Sequence, residues 1–233
     1  MFRRILLKLS GEAIEGEHDP FDHQVLLRIA GEVRQVQEAG TAVGIVIGGG
    51  NILRGGALEK LGFDRVRSDS MGMLATVINS IMLSEALRAA GVPAVVQSAF
   101  PVSTMVSAID LDVTARYLDE GKVVLFAGGT GSPFFTTDTA AALRACEIGA
   151  DLLLKATKVE GVYDRDPVLH PDAELFKHLT YDQVLARRLK VMDMTAISLC
   201  REHRIPVVVF NIFRDHALLS AVKGEHVGTL LKE

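Results

Sequence analysis

Lys122-Val-Val-Leu-Phe-Ala127 runs into Gly128-Gly129-Thr130-Gly131-Ser132-Pro133-Phe134-Phe135-Thr136-Thr137-Asp138, and the alanine-rich Thr139-Ala140-Ala141-Ala142 follows. An apolar run of this length bounded by glycine reads as a buried strand of a parallel sheet. The alanines read as the helix that returns from it. Asp138 stands where a helix N-cap is expected. Backbone amides in a loop with three glycines and several hydroxyls can cradle an anion, but an ordinary strand-to-helix turn also uses glycine for its geometry. The neighbouring loops must decide between the two.

Upstream, Ile5 to Leu9 is a short apolar strand with one charge, Lys8, beside Ser10-Gly11-Glu12. A lysine at the C-terminal end of such a strand can snorkel at a sheet edge, but its place next to a glycine turn favours contact with a ligand. Gly11 and Gly16 have the glycine spacing of a P-loop, yet Glu17-His18 occupies the Lys-Ser/Thr positions and removes that reading. From Gln24 to Ala39 the apolar residues fall at helical spacing opposite Arg28, Glu32, Arg34 and Glu38. The strand Ala42 to Ile47 then meets Gly48-Gly49-Gly50-Asn51, with Arg54 one helical turn on. Such a glycine run lets the backbone approach a ligand, and a helix starting near Asn51 would add its positive end. As a dinucleotide fingerprint it is poor, because Leu53 takes the third glycine position.

Ser68-Asp69-Ser70 precedes a long helical pattern, Met71 to Ala90, that is apolar over most of its circumference, so it lies either at the heart of the fold or against a second subunit. Asp69 reads most simply as a charge at the helix N-terminus. Downstream, Val92 to Gln97 and Asp151 to Leu154 are strands, and Lys155 to Pro167 is a polar excursion resembling a hairpin around a ligand. Leu175 to Met194 reads as helix, Pro206 to Phe210 as strand, and Gly228 to Leu231 as a last edge strand.

With 233 residues, 48% of them hydrophobic, the chain can bury one large core, and no linker divides it, so residues 1–233 are expected to form a single domain. A formal charge of -4 with scattered lysine and arginine gives no reason to expect nucleic acid. The longest uncharged run, Ala89 to Ile109, is broken by Pro93, Gln97 and Pro101, so no membrane span is expected there. Cys146 and Cys200 lack metal-like spacing and have no secretory segment before them, which makes a reducing cytoplasm the default.

Strands alternating with helices imply a three-layer α/β sandwich, with a central, mainly parallel sheet and helices on both faces. Lys8, the Gly48 to Gly50 run, the Gly128 to Asp138 loop and the Lys155 to Thr157 segment each follow a strand's C-terminal end, where open α/β sheets bind ligands. Two glycine runs, two lysines and Arg54 on one edge suit more negative charge than one phosphate carries.

Along essentially its whole length the chain resembles the amino acid kinase superfamily, and within it the bacterial UMP kinases. The resemblance rests on Lys8 to Glu12, Gly48 to Asn51 with Arg54, Asp69 before Met71-Gly72-Met73-Leu74-Ala75-Thr76, Thr130 to Asp138, and Lys155 to Tyr163. Phe134-Phe135-Thr136-Thr137-Asp138 is the part that points to UMP, and Ser132 departs from the asparagine expected in many relatives. The resemblance implies transfer of a phosphoryl group from ATP to UMP, with Lys8, Arg54 and Asp138 catalytic. It puts Lys8, Ser10, Gly11, Gly50, Arg54, Thr157, Tyr163 and Asp166 on the ATP side, and Gly49, Asp69, Thr130, Gly131, Ser132, Pro133, Phe134, Phe135, Thr136 and Thr137 on the UMP side. It further implies Mg²⁺ with ATP, with no protein ligand assigned to it, a homohexamer, and UTP and GTP as effectors. A superfamily kinase acting on a carboxylate or carbamate, and a non-catalytic nucleotide-binding protein, are the alternatives, and the first is separated by asking whether UMP or an amino acid drives ADP release.

Overall fold

The computed structural model describes residues 1–53, 61–189 and 191–233. One sheet of nine strands has the order β4-β3-β5-β2-β1-β6-β8-β9-β7. Its strands are β1 (Arg4–Leu9), β2 (Ala42–Ile47), β3 (Ala94–Ser98), β4 (Ser107–Ala108), β5 (Val123–Ala127), β6 (Leu152–Thr157), β7 (His178–Thr180), β8 (Val207–Asn211) and β9 (Thr229–Lys232). All neighbours are parallel except β8 and β9.

Alternation along each strand sends side chains to two separate cores. Ile5, Leu7 and Leu9 of β1 pack with α1 (His23–Glu38), the lower part of α2 (Arg65–Ala89) and α7 (Ala217–Lys223). Leu6 faces the other way, toward α3 (Leu111–Asp119), α4 (Thr137–Glu147), α5 (Tyr181–Arg187) and α6 (Met194–Glu202). This is the three-layer sandwich with a mainly parallel sheet that the sequence implies. In α4, Ala140, Ala141, Ala142 and Ala145 are fully buried, and such small side chains let the helix lie close to β1 and β2.

Four local expectations change. Helix α2 starts at Arg65, capped by Asp64 accepting from the Arg67 amide, so Asp69 lies inside the helix rather than ahead of it. Thr136, whose hydroxyl accepts from the Asp138 and Thr139 amides, caps α4; Asp138 is its second residue and not its cap. The expected helix from Leu175 to Met194 is β7, then α5 behind a Thr180–Gln183 capping box, then a break at Arg188, whose φ of 52° is left-handed. A new cap at Asp193 starts α6. Val184, Leu185, Leu189 and Val191 keep a helical rhythm across that break, which is why periodicity runs straight through it. Finally, β9 is interior, because β7 covers its outer side.

Helix α2 has the length and composition to cross a bilayer, but its inner side argues for a core helix of the sandwich. Thr76, Asn79, Ser80 and Ser84 are buried there and hydrogen-bonded.

Candidate active site

β1, β2, β5 and β6 lie side by side and parallel, so their C-terminal ends bring Lys8, the Gly48 run, the Gly128 loop and Lys155 to one edge. Lys8 and Lys155 are register partners on adjacent strands. Two ammonium groups so close need a counter-charge, and Asp138 supplies it from the first turn of α4. Its Oδ1 lies 2.9 Å from Lys8 Nζ, and its Oδ2 accepts from Lys155 Nζ at 2.7 Å. All three side chains are largely buried, at 10%, 14% and 16% exposure for Lys8, Asp138 and Lys155. Burial pushes the Asp138 carboxyl up, but the two lysines outweigh it and hold the group below the usual carboxylate range. Burial, aided by the charge of Lys8, lowers the Lys155 ammonium from its ordinary value against the pull of Asp138. The knot is net cationic and faces the strand ends.

On one side of it a cleft of about 230 Å³ is lined by Gly49, Gly50, Asp69, Thr130, Ser132, Phe135, Thr136 and Thr137, with Ser68, Gly72, Met73 and Thr76 from α2. Seven of the expected UMP-side residues therefore meet in one place. Gly50, expected on the ATP side, lines this cleft too. Gly131, Pro133 and Phe134 belong to the same loop, and the Phe134 amide donates to Asp69 Oδ2 at 2.7 Å. That carboxylate also pairs with Arg65 at 2.9 Å. Phe134 takes a left-handed φ of 72°, a cost that the bond to Asp69 helps offset.

On the other side a cleft of about 560 Å³ is lined by Lys155, Thr157, Val159, Tyr163, Asp166, Arg188 and Val191, among others. Thr157, Tyr163 and Asp166, three of the residues assigned to the ATP side, line it together. Ser10 and Gly11 follow Lys8, and Gly11 packs against the Gly48 loop. A Cβ on Gly11 would stand 2.4 Å from Asn51 Oδ1 and 2.7 Å from the Gly50 amide. A Cβ on Gly49 would stand 2.8 Å from that of Ala75. Two of these glycines are thus required by protein contacts, whereas a Cβ on Gly50 would meet only the Glu12 side chain, in ordinary van der Waals contact at 3.7 Å. Arg54, and any helix beyond Leu53, lies outside the described residues.

Several relations between residues are not legible in the sequence. Lys155 was visible as a second lysine at a strand end, yet its pairing with Lys8 depends on sheet order. Asn79, fully buried on α2, donates to Gly48 O at 2.6 Å and to Asn51 Oδ1 at 2.7 Å, fixing the glycine run from below. Asp193 accepts from both Thr136 and Thr139. Nothing in the sequence near Asn79 or Asp193 signals these partners.

The model of the amino acid kinase family matches residues 3–211. A uridylate kinase of Pseudomonas putida is 54% identical over 233 residues, covering 100% of this chain and 94% of the relative. Among solved structures, the UMP kinase from Bacillus anthracis superposes with a TM-score of 0.96 at 37% identity, covering 99% of this chain and 96% of that one. The UMP kinase from Ureaplasma parvum gives 0.94 at 34% identity, covering 100% of each.

Proposed function

The chain belongs to the amino acid kinase family, and from that premise we propose that it is a nucleoside monophosphate kinase, moving the γ-phosphoryl group of ATP to UMP to give ADP and UDP. The observation that carries this reading is the pair of clefts flanking the Lys8–Asp138–Lys155 knot, in a chain 54% identical to a uridylate kinase. UMP takes the cleft containing Gly49, Asp69 and the Thr130 to Thr137 loop. ATP takes the one containing Thr157, Tyr163 and Asp166, with its phosphates toward Lys8, Ser10, Gly11 and Arg54.

No general base is required. The second pKa of a phosphomonoester, about 6, leaves the attacking oxygen ionised at neutral pH. The obstacle is repulsion between two polyanions, so catalysis consists of in-line positioning and charge neutralisation by preorganised groups. Lys8 and Lys155 supply the charge, and Asp138 sets where their ammonium groups sit. The first amides of α4 add the positive end of a helix dipole.

A metal ion accompanies ATP in this chemistry, and Mg²⁺ is the one proposed. Among the described residues no cluster of three His, Cys, Asp or Glu side chains suits a metal, and both oxygens of Asp138 face ammonium groups. Bound with ATP, Mg²⁺ would supply further charge neutralisation at the phosphates.

The enzyme works in the cytoplasm as one domain per chain, assembled as the homohexamer that the resemblance implies; the outward apolar face of α2 favours at least a dimer. UTP shares its base and ribose with UMP and competes for the UMP cleft; GTP acts at the active site or between subunits. The test of the activity is ADP release across UMP, CMP, dUMP and acidic amino acids. UMP should drive it, and turnover of an amino acid in place of UMP would defeat the reading. For UTP, inhibition that saturating UMP does not relieve would defeat competition.

A further inference from the structure

The carboxylate of Asp193 lies outside both clefts yet touches the machinery of each. Its Oδ1 accepts from the Ala196 amide at 3.0 Å and so caps α6. Its Oδ2 accepts from the Thr136 hydroxyl, and both oxygens lie 2.9 Å from the Thr139 hydroxyl. One carboxylate thus ties together the starts of α4 and α6. Two residues earlier, the Val191 carbonyl accepts from Lys155 Nζ, and Val191 lines the ATP-side cleft while Thr136 lines the UMP-side cleft.

The polarity of these bonds has a consequence. A hydroxyl has one proton and two lone pairs. The Thr136 proton goes to Asp193, which leaves its lone pairs to accept from the Asp138 and Thr139 amides. Asp193 thereby fixes the Thr136 hydroxyl in the sense that caps α4, and the capped first turn sets the backbone from which Asp138 reaches Lys8 and Lys155. We propose that Asp193 is a positioning residue for phosphoryl transfer: through Thr136 and Thr139 it holds Asp138, and with it both lysines, in register with the UMP loop.

This inference rests on the proposed kinase reading, and Asp193→Asn is the informative substitution. Asparagine is as good a helix cap as aspartate, so α6 keeps its start. The Ala196 amide demands an acceptor, which turns the asparagine oxygen toward α6 and its NH₂ toward Thr136 and Thr139. A donor then faces the Thr136 hydroxyl, and the bond reverses with no change of side-chain shape. Thr139→Val against Thr139→Ser tests the same clamp from the other partner, since serine keeps the hydroxyl and valine keeps the volume.

The measurements are kcat, KM for UMP, KM for ATP and the thermal midpoint for wild type and each variant, with UMP as acceptor. A displacement of about 1 Å costs of order 100-fold in rate, so kcat of Asp193→Asn and Thr139→Val should fall by roughly 10- to 100-fold. KM for ATP should stay within about twofold, because the ATP-side wall still has its Lys155–Val191 bond and makes no transition-state contact through Asp193. The thermal midpoint should hold near that of wild type, and Thr139→Ser should recover most of the lost rate. Wild-type kcat in Asp193→Asn would overturn the inference. So would a loss in which both KM values and the thermal midpoint move together, since that is general loosening. If Asp193→Asn does not fold, equal kcat for Thr139→Val and Thr139→Ser overturns it, and rescue by serine supports it. A wild-type enzyme inactive with UMP refutes the kinase reading itself, which separates the two failures.

Discussion

Helices α2 and α4 both brace the strand-end clefts, and they distribute polarity in opposite ways. In α4 the alanines are buried against the sheet, and the polar first turn, Thr136 to Thr139, faces the site. In α2 the buried side carries Thr76, Asn79, Ser80 and Ser84, while Leu74, Ile78, Ile81 and Met82 are 37–49% exposed. The buried polar groups of α2 have partners. Thr76 donates to Met73 O and accepts from the Gly128 amide, and Asn79 holds Gly48. The inner side of α2 is thus a bracket for the two glycine loops. The difference teaches that α4 completes its packing within one chain, whereas α2 leaves an apolar face uncovered.

The largest effect should come from breaking what α4 presents. Because Thr136 caps the helix, Asp138→Asn leaves the cap intact, and loss of a cap cannot explain a loss of rate. Removing the carboxylate strands two neighbouring lysines without their shared counter-charge. Turnover should drop by orders of magnitude in a still-folded protein, measured below its thermal midpoint. Lys8→Ala should be similarly damaging, and the double variant Lys8→Ala, Asp138→Asn should be hardly worse than the worse single one. Fully additive losses in kcat would show that the two act independently.

Next is the discrimination that α2 contributes through Asp69. The resemblance implies a role for this carboxylate as acceptor for the ribose hydroxyls of UMP, and a site built to bond a hydroxyl leaves a group unpaired when the hydroxyl is missing. UMP should be preferred to dUMP, with Asp69→Asn eroding the ratio of kcat/KM. A wild-type enzyme that uses dUMP as efficiently as UMP would remove this role from Asp69 and leave it with Phe134 and Arg65 alone.

A smaller and purely structural effect is expected at Asn79. Its truncation to alanine leaves Gly48 O and Asn51 Oδ1 without their donor, at about 1–3 kcal/mol for an unsatisfied buried group. Thermal unfolding of Asn79→Ala should read this as a midpoint lower by several degrees. An unchanged midpoint would mean that water replaces the amide and that the bracket is not needed.

Whether a feature is legible in the sequence depends on whether it is local or requires sheet order. The strand-to-loop units around Lys8, Gly48, Gly128 and Lys155 were legible, because an apolar run ending in glycine shows in a few consecutive residues. Their convergence followed from the parallel fold. What stayed hidden were relations across the sheet: Lys8 opposite Lys155, Asn79 under Gly48, Asp193 against Thr136. The cap of α4 lies two residues before the expected Asp138 and the start of α2 six residues before the expected Met71, since Thr136, Asp64 and Asp138 are all acceptable caps by type and only geometry chooses. The break at Arg188 was invisible because an arginine in the left-handed region leaves no compositional mark, as glycine would.

The last and smallest effect on catalysis should come from the outer face of α2. Leu74, Ile78, Ile81 and Met82 recur at spacings of three and four, so they form one stripe, and the Met105 side chain is also exposed. A second subunit packed on that stripe would remove it from water, at roughly 25 cal/mol per Å² of apolar area. Ile81→Glu puts a charge in the middle of the stripe. In a single chain Ile81 is partly solvated, so the substitution should cost little in folding and leave the clefts' residues untouched. In an assembly it would bury an unpaired carboxylate, a penalty that favours dissociation. Sedimentation should therefore find Ile81→Glu and Met82→Glu in smaller species than wild type, or aggregated, while the activity of any folded small species falls less than in Asp138→Asn. A wild-type chain that sediments as a stable monomer would break the comparison at its root, because α2 would then carry its apolar face in water as its functional state.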